Sequence, residues 1–181
     1  MEHCCNHLAA PKQGTSRRNF LKLAALGGGV SLFGSFVPAT AQAAGGTDVL
    51  LLSCMDYRLV DETERYMSGR GLRDKYDHVI LAGAALGAIT DKFPAWNQTF
   101  WQHLDVAIKL HNVHTVMVMD HRDCGAYKVI LGEDFGKDPA RETAAHTVQL
   151  QSLRRMILAK YPQMKVELLL MGLDGKVEPV A

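Results

Sequence analysis

Short, mainly apolar runs alternate with longer helical stretches from residue 47 onward, and this alternation limits the folds open to the chain. A strand without polar residues on either face must be buried on both faces, as in a parallel sheet covered by helices. The pattern therefore predicts an α/β fold with a mainly parallel central sheet of about four strands flanked by helices. The expected strands are DVLLLS (48–53), HVILA (78–82), HTVMVM (114–119) and KVELLLM (165–171), with a short edge strand at 176–180.

Helical stretches separate the expected strands, with predicted bounds of 60–70, 94–112, 124–131 and 140–161. Glycine and proline support these limits, because Gly71 follows the first helix, Pro94 begins the second and Pro162 follows the last. The small-residue segment GAALGA at 83–88 follows the second strand and is predicted to be a loop.

The first 43 residues have the features of an export signal. The stretch SRRNFLK at 16–22 resembles the twin-arginine motif, and a weakly apolar, glycine-rich segment leads to the small-residue site Ala41-Gln42-Ala43. We expect export through the twin-arginine pathway to the periplasm, removal of residues 1–43, and one mature domain at 44–181. The alternative, a membrane anchor, is disfavoured because three consecutive glycines and Pro38 make a poor spanning helix.

The charge balance limits the classes of partner. The chain has 20 Lys and Arg against 19 Asp and Glu, and four of the basic residues lie in the predicted signal. The mature domain is therefore slightly acidic, without the basic surface that nucleic acid or an anionic membrane requires. We expect a small-molecule substrate, no nucleic acid and no stable membrane anchor after cleavage.

Two polar clusters lie where predicted strands end. The first, SCMDYR at 53–58, places Cys54, Asp56 and Arg58 at alternate positions, which in an extended segment point to one side. The second, DHRDCG at 120–125, holds His121 and Cys124 after the third predicted strand. Sites in parallel sheets lie at the carboxyl ends of strands, so the two clusters are expected to form one site.

Two sulfurs and one nitrogen at this site indicate a metal centre. Zinc prefers tetrahedral nitrogen and sulfur ligation, and Cys54, His121 and Cys124 would leave its fourth position open. Asp56 is expected to hydrogen-bond to water at that position or to occupy it, and Arg58 to hold the carboxylate. Two other interpretations remain open: the cysteines form a disulfide, with His121 on the surface, or they act as a redox dithiol.

The two motifs together resemble those of the β-class carbonic anhydrases. The matching residues are Cys54-Met55-Asp56-Tyr57-Arg58 and His121-Arg122-Asp123-Cys124-Gly125-Ala126. The resemblance implies that Cys54, His121 and Cys124 ligate Zn²⁺, that Asp56 and Arg58 form a catalytic dyad, and that the protein is a homodimer or higher homo-oligomer. It implies an enzyme that reversibly hydrates CO2 to bicarbonate by zinc-bound hydroxide. Two thiolate ligands predict an activity that rises above neutral pH, because they donate more charge to the metal than imidazoles do.

One segment departs from the family pattern. Where the family carries Arg-Asn-Ala-Gly-Asn after its second strand, this chain has Leu81-Ala82-Gly83-Ala84-Ala85. The alternative function is therefore an exported zinc-binding protein of the same fold that does not hydrate CO2, or that acts on a related small molecule.

Other residues have weaker signals. Phe93 and Tyr127 are candidates for lining the path of a small substrate, and Asp123 is left unassigned. The remaining histidines of the mature domain are scattered and are expected to be hydrogen-bonded or solvated rather than ligands; they are His78, His103, His111, His114 and His146.

Overall fold

The computed structural model describes residues 47–135 and 137–181. The strands are Val49–Ser53 (β1), Tyr76–Ile80 (β2), Thr115–His121 (β3), Lys165–Met171 (β4) and Val177–Pro179 (β5). The helices are Val60–Gly69 (α1), Ala84–Ile89 (α2), Pro94–His111 (α3), Gly125–Leu131 (α4) and Pro139–Lys160 (α5), and Tyr57–Leu59 forms a 3₁₀ turn. Within those ranges no helix is both long enough and apolar enough to cross a membrane. The predicted export signal at 1–43 lies outside the described residues, so its cleavage stays a prediction.

The strands of the described region form one sheet in the order β2-β1-β3-β4-β5. β1 pairs in parallel with β2 and β3, and β3 pairs in parallel with β4, whereas β5 is antiparallel to β4. Helices supply the crossovers that parallel pairing requires. This confirms the predicted α/β fold, with four parallel strands and an edge strand near the carboxyl end.

Alternate residues of the central strands pack against opposite helical layers. Leu50 and Leu52 of β1 belong to a buried cluster that includes Leu153 of α5. Leu51, between them, belongs to a second cluster with Met67 of α1. The sheet is therefore covered on both faces, which is why its central strands carry so few polar residues.

β2 differs from its prediction. It was expected at 78–82 as a buried strand, but it spans Tyr76–Ile80 at the edge of the sheet. Val79 is its buried residue, and Ile80 is 53% exposed. A short apolar run does not by itself distinguish an edge strand from a central one.

The predicted loop at 83–88 is wrong, because Ala84–Ile89 form helix α2. Alanine and leucine are strong helix formers. The small side chains of Ala84 and Ala85 also allow both residues to be fully buried against the sheet. The Asp120 carboxylate accepts a hydrogen bond from the Ala85 N–H at 2.9 Å, which satisfies a free donor of the first helical turn.

Gly87→Ala should destabilise the protein, whereas Gly69→Ala should not. A Cβ at Gly87 would lie 2.3 Å from the Ala82 carbonyl oxygen, a backbone atom that cannot easily move, so we expect a cost of about 1–3 kcal/mol. A Cβ at Gly69 meets nothing within 4 Å, so a gain of about 0.4–1 kcal/mol is expected. Urea denaturation measures both, and a Gly87→Ala variant as stable as the native chain would contradict the close approach.

Candidate metal centre

Three potential ligands converge at the carboxyl end of the sheet. Cys54 follows β1, His121 is the last residue of β3, and Cys124 immediately precedes α4. One ligand atom from each residue, two Sγ atoms and an imidazole nitrogen, lies within 4.8 Å of the others. The prediction that these residues come together at neighbouring strand ends is confirmed, because β1 and β3 are adjacent in the sheet.

The two cysteines are free thiols. Their Sγ atoms are 3.9 Å apart, whereas a disulfide bond is about 2.05 Å long. Cys124 is buried and Cys54 is partly exposed. Two sulfurs at this separation match the spacing of neighbouring ligands around one ion.

The His121 ring is oriented by its other nitrogen. Nδ1 lies 2.8 Å from the Arg122 carbonyl oxygen, and since a carbonyl only accepts, Nδ1 carries the proton. Nε2 is buried and makes no hydrogen bond, and its nearest acidic atom, Asp56 Oδ2, is 3.8 Å away. A buried nitrogen without a partner is costly, and a metal ion between the two sulfurs would satisfy it. The donor set therefore fits a metal.

The two thiols do not ionise equally. The pKa of Cys54 is lowered to about 4, mainly by the hydrogen bond from Cys124 and further by His121 and the Gly83 N–H, against the opposing effect of burial. The pKa of Cys124 is raised, because the Cys54 sulfur lies beside it and because it is buried. Two adjacent thiolates repel each other unless a cation lies between them, and a divalent ion would allow both to ionise.

Backbone geometry requires glycine at position 83, within the segment that departs from the family pattern. Its N–H donates to Cys54 Sγ at 3.3 Å, and its φ of +78° is a conformation that glycine adopts readily. A Cβ there would lie 3.1 Å from the Cβ of Ala126. The segment therefore contacts the site through its main chain, which does not depend on the polar side chains that are missing.

Asp56 and Arg58 form a bidentate ion pair at the edge of the cluster. Arg58 Nε donates to Asp56 Oδ1 at 2.9 Å, and Arg58 Nη2 donates to Asp56 Oδ2 at 2.8 Å. Hydrogen bonds from Arg58 lower the pKa of Asp56 to about 2, so the carboxylate is charged throughout the physiological range. The expected extended geometry is wrong, because β1 ends at Ser53 and Arg58 lies in the 3₁₀ turn. The 3₁₀ turn therefore sets the positions of the two side chains, and the alternation of side chains along a strand does not.

An open pocket of about 600 Å³ adjoins Cys54 and Asp56. Phe93 and Trp96 stack with their ring centroids 4.1 Å apart in its wall. The other lining residues are Met55, Tyr57, Ala82, Gly125, Ala126, Val129 and Ile130. Phe93, a candidate for lining the path of a small substrate, thus lies in the wall of this pocket. Trp96 is not among the candidate pocket residues predicted from the sequence. Its position three residues after Phe93, in the first turn of a helix, indicates that the two rings lie on the same face.

Tyr127 was a candidate for lining the path of a small substrate, but it lies in the core instead. It is buried, and its hydroxyl donates to Asp120 Oδ2 at 2.5 Å, while His146 Nδ1 lies 2.8 Å from the same oxygen. His146 is thus a hydrogen-bonded core histidine, as expected. The network itself was missed, although a charged residue in an apolar strand, such as Asp120, indicates buried partners.

The fold and the cysteine–histidine cluster define an α/β protein with a candidate metal centre at the carboxyl end of a parallel sheet. The family model described as "Putative carbonic anhydrase" matches residues 44–181. The chain belongs to that family. Curated relatives include an uncharacterized protein of Rickettsia conorii, 44% identical over 131 residues, which are 72% of this chain and 70% of that protein. Another, from Rickettsia bellii, is 42% identical over 131 residues, 72% of this chain and 80% of that protein.

Solved structures show the same fold at low sequence identity. A carbonic anhydrase from Glaciozyma antarctica has a TM-score of 0.52 and 18% identity, covering 94% of this chain and 98% of that chain. A mutant of the β-carbonic anhydrase CafD of Aspergillus fumigatus has a TM-score of 0.52 and 15% identity, covering 80% of this chain and 94% of that chain. The predicted resemblance in family and fold is confirmed.

In the metal-free full chain, iodoacetamide should alkylate Cys54 faster than Cys124, at a rate that changes little between about pH 6 and 8. Cys54 is already ionised there, since its pKa is about 4, whereas a thiol of pKa about 8.5 gains thiolate nearly tenfold per pH unit. Peptide mass spectrometry measures each site, with glutathione as the reference thiol. A Cys54 rate that rises as steeply as that of glutathione would contradict the assignment.

Proposed function

We propose that the protein reversibly hydrates CO2 to bicarbonate with zinc held by Cys54, His121 and Cys124. The observation that carries the proposal is the convergence of two thiols and an unpartnered imidazole nitrogen within 4.8 Å. Sulfur and imidazole donors favour zinc over harder cations such as magnesium, and three ligands leave a fourth position for chemistry. Family membership supports the same reaction.

Zinc bound there would lower the pKa of water and so supply hydroxide, less strongly with two thiolate ligands than with three imidazoles. Asp56 is the group of this chain best placed to orient the reacting water, because its Oδ2 lies near the unpartnered His121 Nε2. Its low pKa makes it an acceptor only, so it takes a hydrogen bond without donating one. Arg58 donates to both oxygens of Asp56 and would limit the movement of the carboxylate toward a bound metal.

The pocket supports a small, weakly polar substrate. Its walls are mainly aliphatic and aromatic, and they adjoin Cys54 and Asp56 on the open side of the site. CO2 has no net dipole and no hydrogen-bond donor, so an apolar wall suits its approach to the site.

A second candidate function rests on the size of the same pocket. A volume of about 600 Å³ far exceeds what a triatomic molecule needs, and Ala82 lines it in the segment that departs from the family pattern. The alternative is a zinc-binding protein of this fold that acts on a related, larger small molecule, or that only binds one. Turnover of CO2 by the zinc-loaded chain separates the two.

We also propose a homodimer or higher homo-oligomer. Large apolar side chains are exposed around the pocket mouth, with Tyr57 86% and Val129 69% exposed, and a second copy would cover them. Light scattering on the full chain tests this, and a monomer at micromolar concentration would contradict it.

Export through the twin-arginine pathway to the periplasm is part of the same proposal. The matched family region begins at residue 44, directly after the predicted cleavage site. Replacing Arg17 and Arg18 together by lysine should retain the protein in the cytoplasm on cell fractionation, and unchanged export would contradict it.

Cys54→Ser and Asp56→Ala should separate metal binding from turnover. Cys54→Ser removes a ligand and should lose most bound zinc, whereas Asp56→Ala should keep zinc and lose at least tenfold in kcat, roughly the effect of removing a group that orients a metal site. Metal analysis and stopped-flow CO2 hydration between about pH 7 and 9 measure both, and native turnover should rise with pH. Asp105→Asn, which removes an exposed partner of Lys160, is the control.

Two results would contradict this account. Full zinc stoichiometry in Cys54→Ser would remove Cys54 from the ligand set, and native turnover in Asp56→Ala would remove Asp56 from the mechanism. No CO2 hydration by the zinc-loaded native chain would favour the second candidate function.

A further inference from the structure

The Arg58 guanidinium lies between two carboxylates rather than beside one. One edge holds Asp56, as described above. Nη1 donates to Asp123 Oδ2 at 2.9 Å, and Nη2 also donates to the Asp123 main-chain carbonyl at 3.1 Å. Asp123 thus accepts from Arg58 through its side chain and its backbone, and the plane of the guanidinium is fixed from both sides.

Asp123 is itself held tightly. It lies between the proposed ligands His121 and Cys124 and has a φ of +54°, a left-handed conformation that is uncommon outside glycine. Its N–H donates to Glu142 Oε1 at 2.5 Å, and Glu142 is a buried residue of α5. The side chain is held as well, because Lys128 Nζ donates to Asp123 Oδ1 at 2.9 Å. These contacts turn the Asp123 carbonyl and carboxylate toward Arg58.

Arg58 needs such an anchor because it is not buried. Its side chain is 34% exposed, and ion pairs at this exposure are held weakly when they stand alone. Without Asp123, Nη1 would lose its carboxylate acceptor, and the Asp56–Arg58 pair would be free to move together about the turn. Small displacements of a group that orients a reactant are costly, since catalysis depends on a narrow range of geometries.

We propose that Asp123 is a positioning residue that ties the Asp56–Arg58 pair to the loop carrying two of the metal ligands. The inference rests on the proposed function, because it assigns Asp123 a part in orienting Asp56 at the fourth metal position. Asp123 makes no contact with the ligand cluster through its side chain oxygens, whose partners are Arg58 and Lys128. Its effect therefore passes through Arg58.

Asp123→Asn and Asp123→Gly test this in the zinc-loaded full chain. Both replacements tolerate the positive φ, so the loop is preserved, and zinc stoichiometry should be unchanged. We expect kcat to fall about tenfold in Asp123→Gly, less in Asp123→Asn, with KM changed less than twofold. In an Arg58→Gln background, Asp123→Asn should add less than a twofold loss, because the two residues act in series.

The side-chain Nε–H signal of Arg58 in ¹⁵N NMR spectra gives a readout that does not depend on turnover. The signal, assigned by its loss in Arg58→Lys, should be sharp and slow to exchange with water in the native chain. Asp123→Gly should broaden it or speed its exchange at least tenfold, whereas the control Asp105→Asn should leave it unchanged.

The outcomes distinguish failure of the positioning role of Asp123 from failure of the proposed CO2 hydration. An Arg58 signal unaffected by Asp123→Gly would overturn the positioning role even if the chain hydrates CO2. Zinc loss in both Asp123 variants, or equal losses of kcat in the native and Arg58→Gln backgrounds, would also overturn it. If the native chain has no CO2 hydration activity, the proposed function fails, and the Arg58 signal still decides whether Asp123 fixes the guanidinium.

Discussion

Parallel pairing between β1 and β3 determines the geometry of the site. Ser53 is in register with Met119, so the residue that follows β1 lies beside the last residues of β3. Slipping this register by one residue would shift Cys54 along β3 by about 3.3 Å and would exchange the faces to which the buried side chains of one strand point. The register is fixed by buried side chains on both faces of the sheet, and the ligand cluster therefore lies at the end of strands that are packed on both sides.

Hydrogen bonds of Asp120 connect three helices to the strand end that carries the cluster. Asp120, next to His121, accepts from the Ala85 N–H, from Tyr127 and at 2.8 Å from His146, so it ties α2, α4 and α5 to the end of β3. The start of α2 in turn presents the Gly83 N–H to Cys54. A segment without polar side chains can therefore still support a sulfur ligand, because its contribution is made by the backbone.

Much of the fold and the cluster is predictable from the sequence, and the exceptions have physical causes. Mainly apolar runs identify the strands of the parallel sheet, and ligand residues at two strand ends identify a site, because both depend on local pattern and topology alone. The edge position of β2 depends on which strands pair, and the helix at Ala84–Ile89 depends on how small residues pack. Asp123 is recognised only once Arg58, far away in sequence, is seen beside it.

Zinc K-edge X-ray absorption on the metal-loaded full chain tests the central claim, that two cysteines and one histidine form the metal site. The account predicts two sulfur neighbours at about 2.3 Å and two lighter neighbours at about 2.0–2.1 Å, with imidazole scattering from His121. A shell of nitrogen and oxygen alone, or the same spectrum after Cys124→Ser, would place the metal elsewhere and contradict the account.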